Sequence, residues 1–143
     1  MGMDVSGRNP RRTAEGEIAR EGQYFRANMW GWRPIHDLCD RAIEHAGLAF
    51  DTEGWGYNDG RGLTTQQECD QLADALEAYL KEFPPEGEKI EVDLGWYCDE
   101  TGRLYSGEEA QGKKGLRTAH STTLDHLRKW IVFLRHCGGF EIW

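Results

Sequence analysis

Two short stretches of the chain concentrate side chains able to hold a ligand. One supplies Arg26, Asn28, Trp30, Trp32 and Arg33; the other supplies Trp55, Tyr57 and Asn58. Indole and phenol faces stack on nucleobases or cover a cation, and an arginine clamps a carboxylate or phosphate through two parallel hydrogen bonds. Asparagine amides read polar edges. Together these residues describe a pocket for an anionic, nucleotide-like small molecule. The same residues admit a plainer reading, in which Trp30 and Trp32 roof a second face of a sheet and Arg33 pairs with an acid on a following helix.

Other chemistries fit the spacing less well. The glycines between 54 and 62 lack the spacing and the lysine of a P-loop, no strand leads straight into them, and tight turns account for them. Asp51, Glu53 and Asp59 do not follow the ligand order of an EF-hand. Cys98, His120, His126, His136 and Cys137 lack the short paired spacings of structural zinc sites. No metal and no cofactor is therefore expected. Cys98 with His120 or His126 can be drawn as a thiolate pair, but nothing in the spacing singles out one combination. Neither a G-x-S-x-G nor an H-E-x-x-H motif is present, so no catalytic residue is assigned.

Periodicity predicts the elements that must position these residues. Residues 23–32 alternate as a strand, with Phe25, Ala27, Met29 and Gly31 toward the core. Tyr24, Arg26, Asn28, Trp30 and Trp32 fall on the other face. A first helix is expected from Arg33-Pro34, with the stripe Ile35, Leu38, Cys39, Ala42, Ile43 and Ala46 and a stop at Gly47. Residues 50–63 read as a glycine-rich loop in which Trp55 and Tyr57, flanked by glycine, protrude. A second helix begins at Thr64 or Thr65 with a capping box, buries Cys69, Leu72, Leu76, Tyr79, Leu80 and Phe83, and ends at Pro84-Pro85.

Further on, residues 90–96 alternate as a strand with Ile90, Val92, Leu94 and Trp96 inward. A hairpin at Thr101-Gly102 returns through residues 103–105. A third helix is expected over 121–136, with Ser121 as N-cap and a stripe of Leu124, Leu127, Trp130, Ile131 and Leu134. Residues 140–143 close the chain as a strand. The sum is an α+β fold, three helices packed on a small, mainly antiparallel sheet. Residues 1–21 carry no periodic apolar pattern and read as a flexible leader to one domain over 22–143.

Composition bounds the function classes. The chain has 143 residues and a net charge of −8, with an acidic middle between more basic ends. That balance disfavours duplex DNA, which needs clustered Lys and Arg to neutralise phosphates. No apolar run has membrane-spanning length, and residues 1–17 have no hydrophobic signal region. A cytoplasmic protein with reduced thiols is expected.

Three segments carry a resemblance. Residues 24–34 (Tyr-Phe-Arg-Ala-Asn-Met-Trp-Gly-Trp-Arg-Pro), the Tyr57-Asn58-Asp59-Gly60 turn and residues 133–142 around Gly138-Gly139-Phe140 are similar to those of an uncharacterised family of small bacterial and phage proteins. Ala27 and Gly31 replace an Asn and a Trp of that family's opening run. Similar sequences hold a cysteine-pair, zinc-ribbon-like insertion between the second and third helices, which here is reduced to residues 98–102. The resemblance spans about residues 22–143 and brings no catalytic residue. It implies either sequestration of a small nucleotide-like signal, an anti-defence role, or a block of a host machine by mimicry of nucleic-acid charge.

The leading expectation is thus a non-enzymatic binding protein for an anionic small molecule. The alternative is an acidic protein–protein inhibitor of a basic host partner, in a nucleic-acid-binding or defence complex. A third reading is a small-nucleotide hydrolase. The C-terminal Trp143 and the polar-aromatic strand face are both compatible with a homodimer.

Overall fold

Met3 and Val5 alternate with Asp4 and Ser6, and both apolar side chains are buried. This makes residues 2–7 a strand at the centre of a sheet, not a leader. The computed structural model describes residues 2–143. In chain order, β1 (Gly2–Gly7) and β2 (Tyr24–Asn28) precede α1 (Met29–Ala46) and α2 (Gln66–Glu82). Four short strands follow: β3 (Lys89–Glu91), β4 (Trp96–Cys98), β5 (Leu104–Ser106) and β6 (Arg117–Thr118). The chain then runs through β7 (Ser121–Thr123), α3 (Leu124–His136) and β8 (Phe140–Ile142).

The architecture is α+β, with three helices and three small antiparallel sheets where one was expected. The main sheet has the order β2-β1-β8. Val5 faces Phe25 on one side and Ile142 on the other, so the segment expected to be a leader ties the two outer strands together. Gly7 fits there because a Cβ would stand 1.9 Å from the Gly22 carbonyl oxygen. β3 pairs with β7, and β4 lies between β5 and β6.

The strand expected over 23–32 stops at Asn28. Asn28 Oδ1 accepts from the Gly31 N–H at 2.8 Å, and this cap starts α1 four residues before the expected position. From Met29 onward the side-chain period is 3.6 instead of 2, which redirects every residue that follows. Pro34 lies inside the helix. The stop is as expected: Gly47 takes the left-handed conformation, φ 70°.

α2 opens on the expected capping box. Thr65 Oγ1 accepts from the Glu68 N–H, and the Glu68 carboxylate accepts from the Thr64 N–H. Phe83, placed in its buried stripe by periodicity, is 52% exposed because it forms the C-cap and has left the helix. The predicted strand 90–96 is broken in two. Asp93 Oδ1 accepts from the Gly95 N–H in a turn where Gly95 has φ 85°, and Leu94 and Trp96 turn outward. The 98–104 hairpin forms as expected. Ser121 belongs to β7, and Thr123 caps α3 by accepting from the His126 N–H.

The core lies between the main sheet and the helices. Phe25, Ala27, Val5, Phe140 and Ile142 from the sheet meet Ile35, Leu38, Leu72, Leu76, Leu127, Trp130 and Leu134. The β5-β4-β6 sheet contributes nothing to this cluster and stands at the side.

Candidate functional site

The residues expected to share one pocket are separated: Trp32 and Trp55 lie in the interior, Arg26, Asn28 and the Arg33–Tyr57 pair border three different hollows, and Trp30 and Asn58 line none of these. Trp32 and Trp55 are each 1% exposed. The Trp32 indole N–H donates to the Trp55 carbonyl oxygen at 2.8 Å, and its ring meets Trp130 edge-on at 5.3 Å. Trp55 packs edge-on against Phe140 at 5.2 Å. Neither indole borders a hollow, so both leave the expected binding set and become core. The cause is the early start of α1, which turns Trp32 inward, and a 3-10 turn at Glu53–Gly56 that folds Trp55 under the chain.

The remaining residues are spread out. Trp30 is half-buried, with its ring 4.8 Å from that of His120. Asn28 caps α1 and borders a hollow of about 340 Å³ with Ser121 and Thr122. Asn58 Nδ2 donates to the Gly2 carbonyl at 3.3 Å and anchors its turn to β1. Arg33 and Tyr57 do come together, in a polar hollow of about 420 Å³ shared with His36, Asp37, Asp40 and Glu53.

Arg26 lines the hollow whose composition best suits an anion with an aromatic part. It holds about 420 Å³ between β2 and α3. Strand alternation sends Phe25 inward and leaves Tyr24 and Arg26 outside. From α3, His126, Arg128, Lys129 and Val132 face the same space. The floor is apolar, made by Phe25, Val132 and Phe133; the rim carries Arg26, His126, Arg128 and Lys129 together with two acids, Glu21 and Asp125. Gly2 makes room for the guanidinium: a Cβ there would stand 3.0 Å from Arg26 Nε.

Each rim group is held differently. Arg26 Nε lies 3.7 Å from Asp4 Oδ1, its direct neighbour across the β1–β2 ladder. The Tyr24 hydroxyl donates to the same carboxylate, and this bond pushes the phenol pKa upward. His126 Nε2 lies 3.0 Å from the Arg26 carbonyl oxygen. A carbonyl only accepts, so Nε2 carries the proton in this contact. The imidazole also lies 4.9 Å from the Phe25 ring. Lys129 pairs with Asp125 at 3.2 Å. Arg128 makes no ion pair among the described residues and borders both this hollow and a larger apolar one, about 600 Å³, built on Leu80, Pro84, Pro85 and Ile131.

Sequence reasoning weighed His126 only as a zinc ligand or a thiolate partner and passed over Arg128 and Lys129. Their signal is their position on α3: they sit on the flank and outer face of a helix whose apolar stripe is unmistakable, where polar residues ordinarily signify only solvent.

His120 is a second unusual group. It is 1% exposed, and its Nδ1 has no hydrogen-bond partner. Burial, reinforced by the Arg33 guanidinium, lowers its pKa, so the ring is held neutral. Among the described residues no group of three His, Cys, Asp or Glu side chains is placed to hold a metal ion. No helix among them is long and apolar enough to cross a membrane.

Comparison of the chain with known protein families, with curated proteins and with solved structures finds no match.

Proposed function

We propose that this protein is a non-enzymatic binding protein that holds an anionic, nucleotide-like small molecule in the hollow between β2 and α3. One observation carries the reading. Arg26, Arg128 and Lys129 converge with the Tyr24 ring over an apolar floor, in a chain whose net charge is −8. Arg128 makes no ion pair among the described residues, which leaves its guanidinium available to a phosphate. Tyr24, which is exposed, and His126 offer ring surfaces for a base. If the resemblance to phage proteins reflects descent, the role is sequestration of a signal nucleotide in the host cytoplasm.

Calorimetric titration with a panel of linear and cyclic nucleotides tests this, with chromatography of the ligand recovered afterwards. Saturable heat, lost in Arg128→Glu, and unchanged ligand are expected. Silence across the panel at millimolar concentration removes the proposal, and altered ligand converts it into the hydrolase reading.

The acidic-inhibitor alternative draws on Asp40 and Glu53, which stand with Asp37 around the hollow of Arg33 and Tyr57. It requires a stoichiometric basic partner whose capture fails at high salt.

A further inference from the structure

Cys69 and Cys137 are both fully buried, and their sulfurs lie 3.5 Å apart. Cys69 sits in the first turn of α2, and Cys137 is the C-cap of α3. Their backbones are already pinned to each other by one side chain. Gln66 Nε2 donates to the Leu134 carbonyl at 2.7 Å, and Gln66 Oε1 accepts from the Gly138 N–H at 2.7 Å. The two thiols are thus held in van der Waals contact by groups that do not depend on them.

We infer that Cys69 and Cys137 are a modification site: a thiol pair that hydrogen peroxide converts to an intramolecular disulfide strapping α2 to the end of α3. From 3.5 Å the sulfurs must close to the bonding distance of about 2.05 Å. Their contact lowers the Cys137 thiol and raises Cys69. Cys137, the C-cap residue where α3 ends, is the attacking sulfur, whereas Cys69 lies within α2. The Asn9 N–H donates to the Cys137 carbonyl and the Arg8 N–H to that of Gly139, so a small neutral oxidant reaches the sulfur only when this segment opens locally.

The chemistry balances. The Cys137 thiolate attacks one peroxide oxygen, the O–O bond breaks, and hydroxide leaves to take up the proton the thiol gave. Cys69 then attacks the sulfenic sulfur, the S–O bond breaks, and the departing hydroxide takes the Cys69 proton as water. Two thiols are oxidised, and one peroxide is reduced to two waters. Cys39 stands apart from the pair, in the core on α1, with burial pushing its thiol up to about 12.

Peroxide treatment of the native full-length chain, alkylation and non-reducing peptide mapping test the inference. A Cys69–Cys137 linked peptide is expected, reversible with dithiothreitol, with Cys39 still alkylated. In Cys69→Ser the Cys137 sulfenic acid persists and is trapped by dimedone. The same oxidation in denaturant, where no contact is preset, scatters the links among the four cysteines. A native map equally scattered, or one in which Cys69 and Cys137 stay free while Cys98 is consumed, overturns it. The unmodified chain decides the matter even if a variant fails to fold.

Discussion

The indole nitrogen of Trp32 donates to the backbone carbonyl of Trp55, joining α1 to a turn 23 residues further along the chain. Both rings then press on the same aromatic cluster, Trp32 through Trp130 and Trp55 through Phe140. Trp130 and Phe140 also touch each other, at 5.3 Å. These tryptophans hold the molecule together; they do not display surface to a ligand.

That arrangement sets their mutational cost. Trp55→Ala is expected to lose about 3–5 kcal/mol of stability, the usual range for emptying a large aromatic site. Trp32→Phe keeps most of the volume but leaves the Trp55 carbonyl without its donor, at about 1–3 kcal/mol. Urea denaturation followed by circular dichroism measures both. A neutral Trp55→Ala would return that indole to the surface.

The hollow beside β2 gives the opposite signature. Arg128→Ala is expected to weaken nucleotide binding roughly tenfold or more, as for loss of a charged hydrogen bond, while stability stays within about 0.5 kcal/mol. Arg26→Ala should act in the same direction, less strongly, because Asp4 already shares that guanidinium. Both deficits shrink as salt rises. Titration calorimetry with parallel melting curves separates binding from folding.

His120 makes stability depend on pH. Its folded pKa lies below the unfolded value of about 6.5, so the unfolded chain takes up the proton first. Stability is complete above that value and falls as the pH drops through it toward the folded pKa. A decline in Tm between pH 7 and pH 5 is expected, measured by melting curves across that interval. In His120→Gln the slope over this interval should flatten. An unchanged slope would assign the dependence to another histidine.

β1 can be tested by removal. Deleting residues 2–7 strips the central strand from between β2 and β8 and uncovers Phe25 and Ile142. Loss of the cooperative melting transition is expected. Val5→Ala, a milder probe of the same position, should cost about 2 kcal/mol.

Much of the helical framework was legible in the sequence, because its signals are local. Gly47, the Thr65–Glu68 capping box and the Leu127–Leu134 stripe each lie within a few residues of what they determine. Two other features depend on distant partners. Met3 and Val5 give only two apolar alternations inside a polar stretch, and their strand exists because Phe25 and Ile142 flank it. The Trp30-x-Trp32 run fits period 2 and period 3.6 alike, and only the Asn28 cap decides between them. Trp55 looked like a protruding ring because it stands between glycines. Its destination against Phe140 could not be read from neighbours, nor could the packing of Arg61 into the space that Gly54 leaves open. Of the candidate site, Arg26 was legible from its strand face, whereas Arg128 required knowing which sheet edge α3 lies against.

The placement of β1 also bears on how the chain acquires its shape. Val5 and Ile142 are ladder partners from nearly opposite ends of the described chain, so a very long loop must close before that pairing can form. During synthesis residues 2–7 can find β2 early but must wait for residues 140–142 to clear the ribosome. In that interval the nascent chain presents an open strand edge to its neighbours. Slower translation at reduced temperature, or a holdase that covers the edge, is expected to raise the soluble yield.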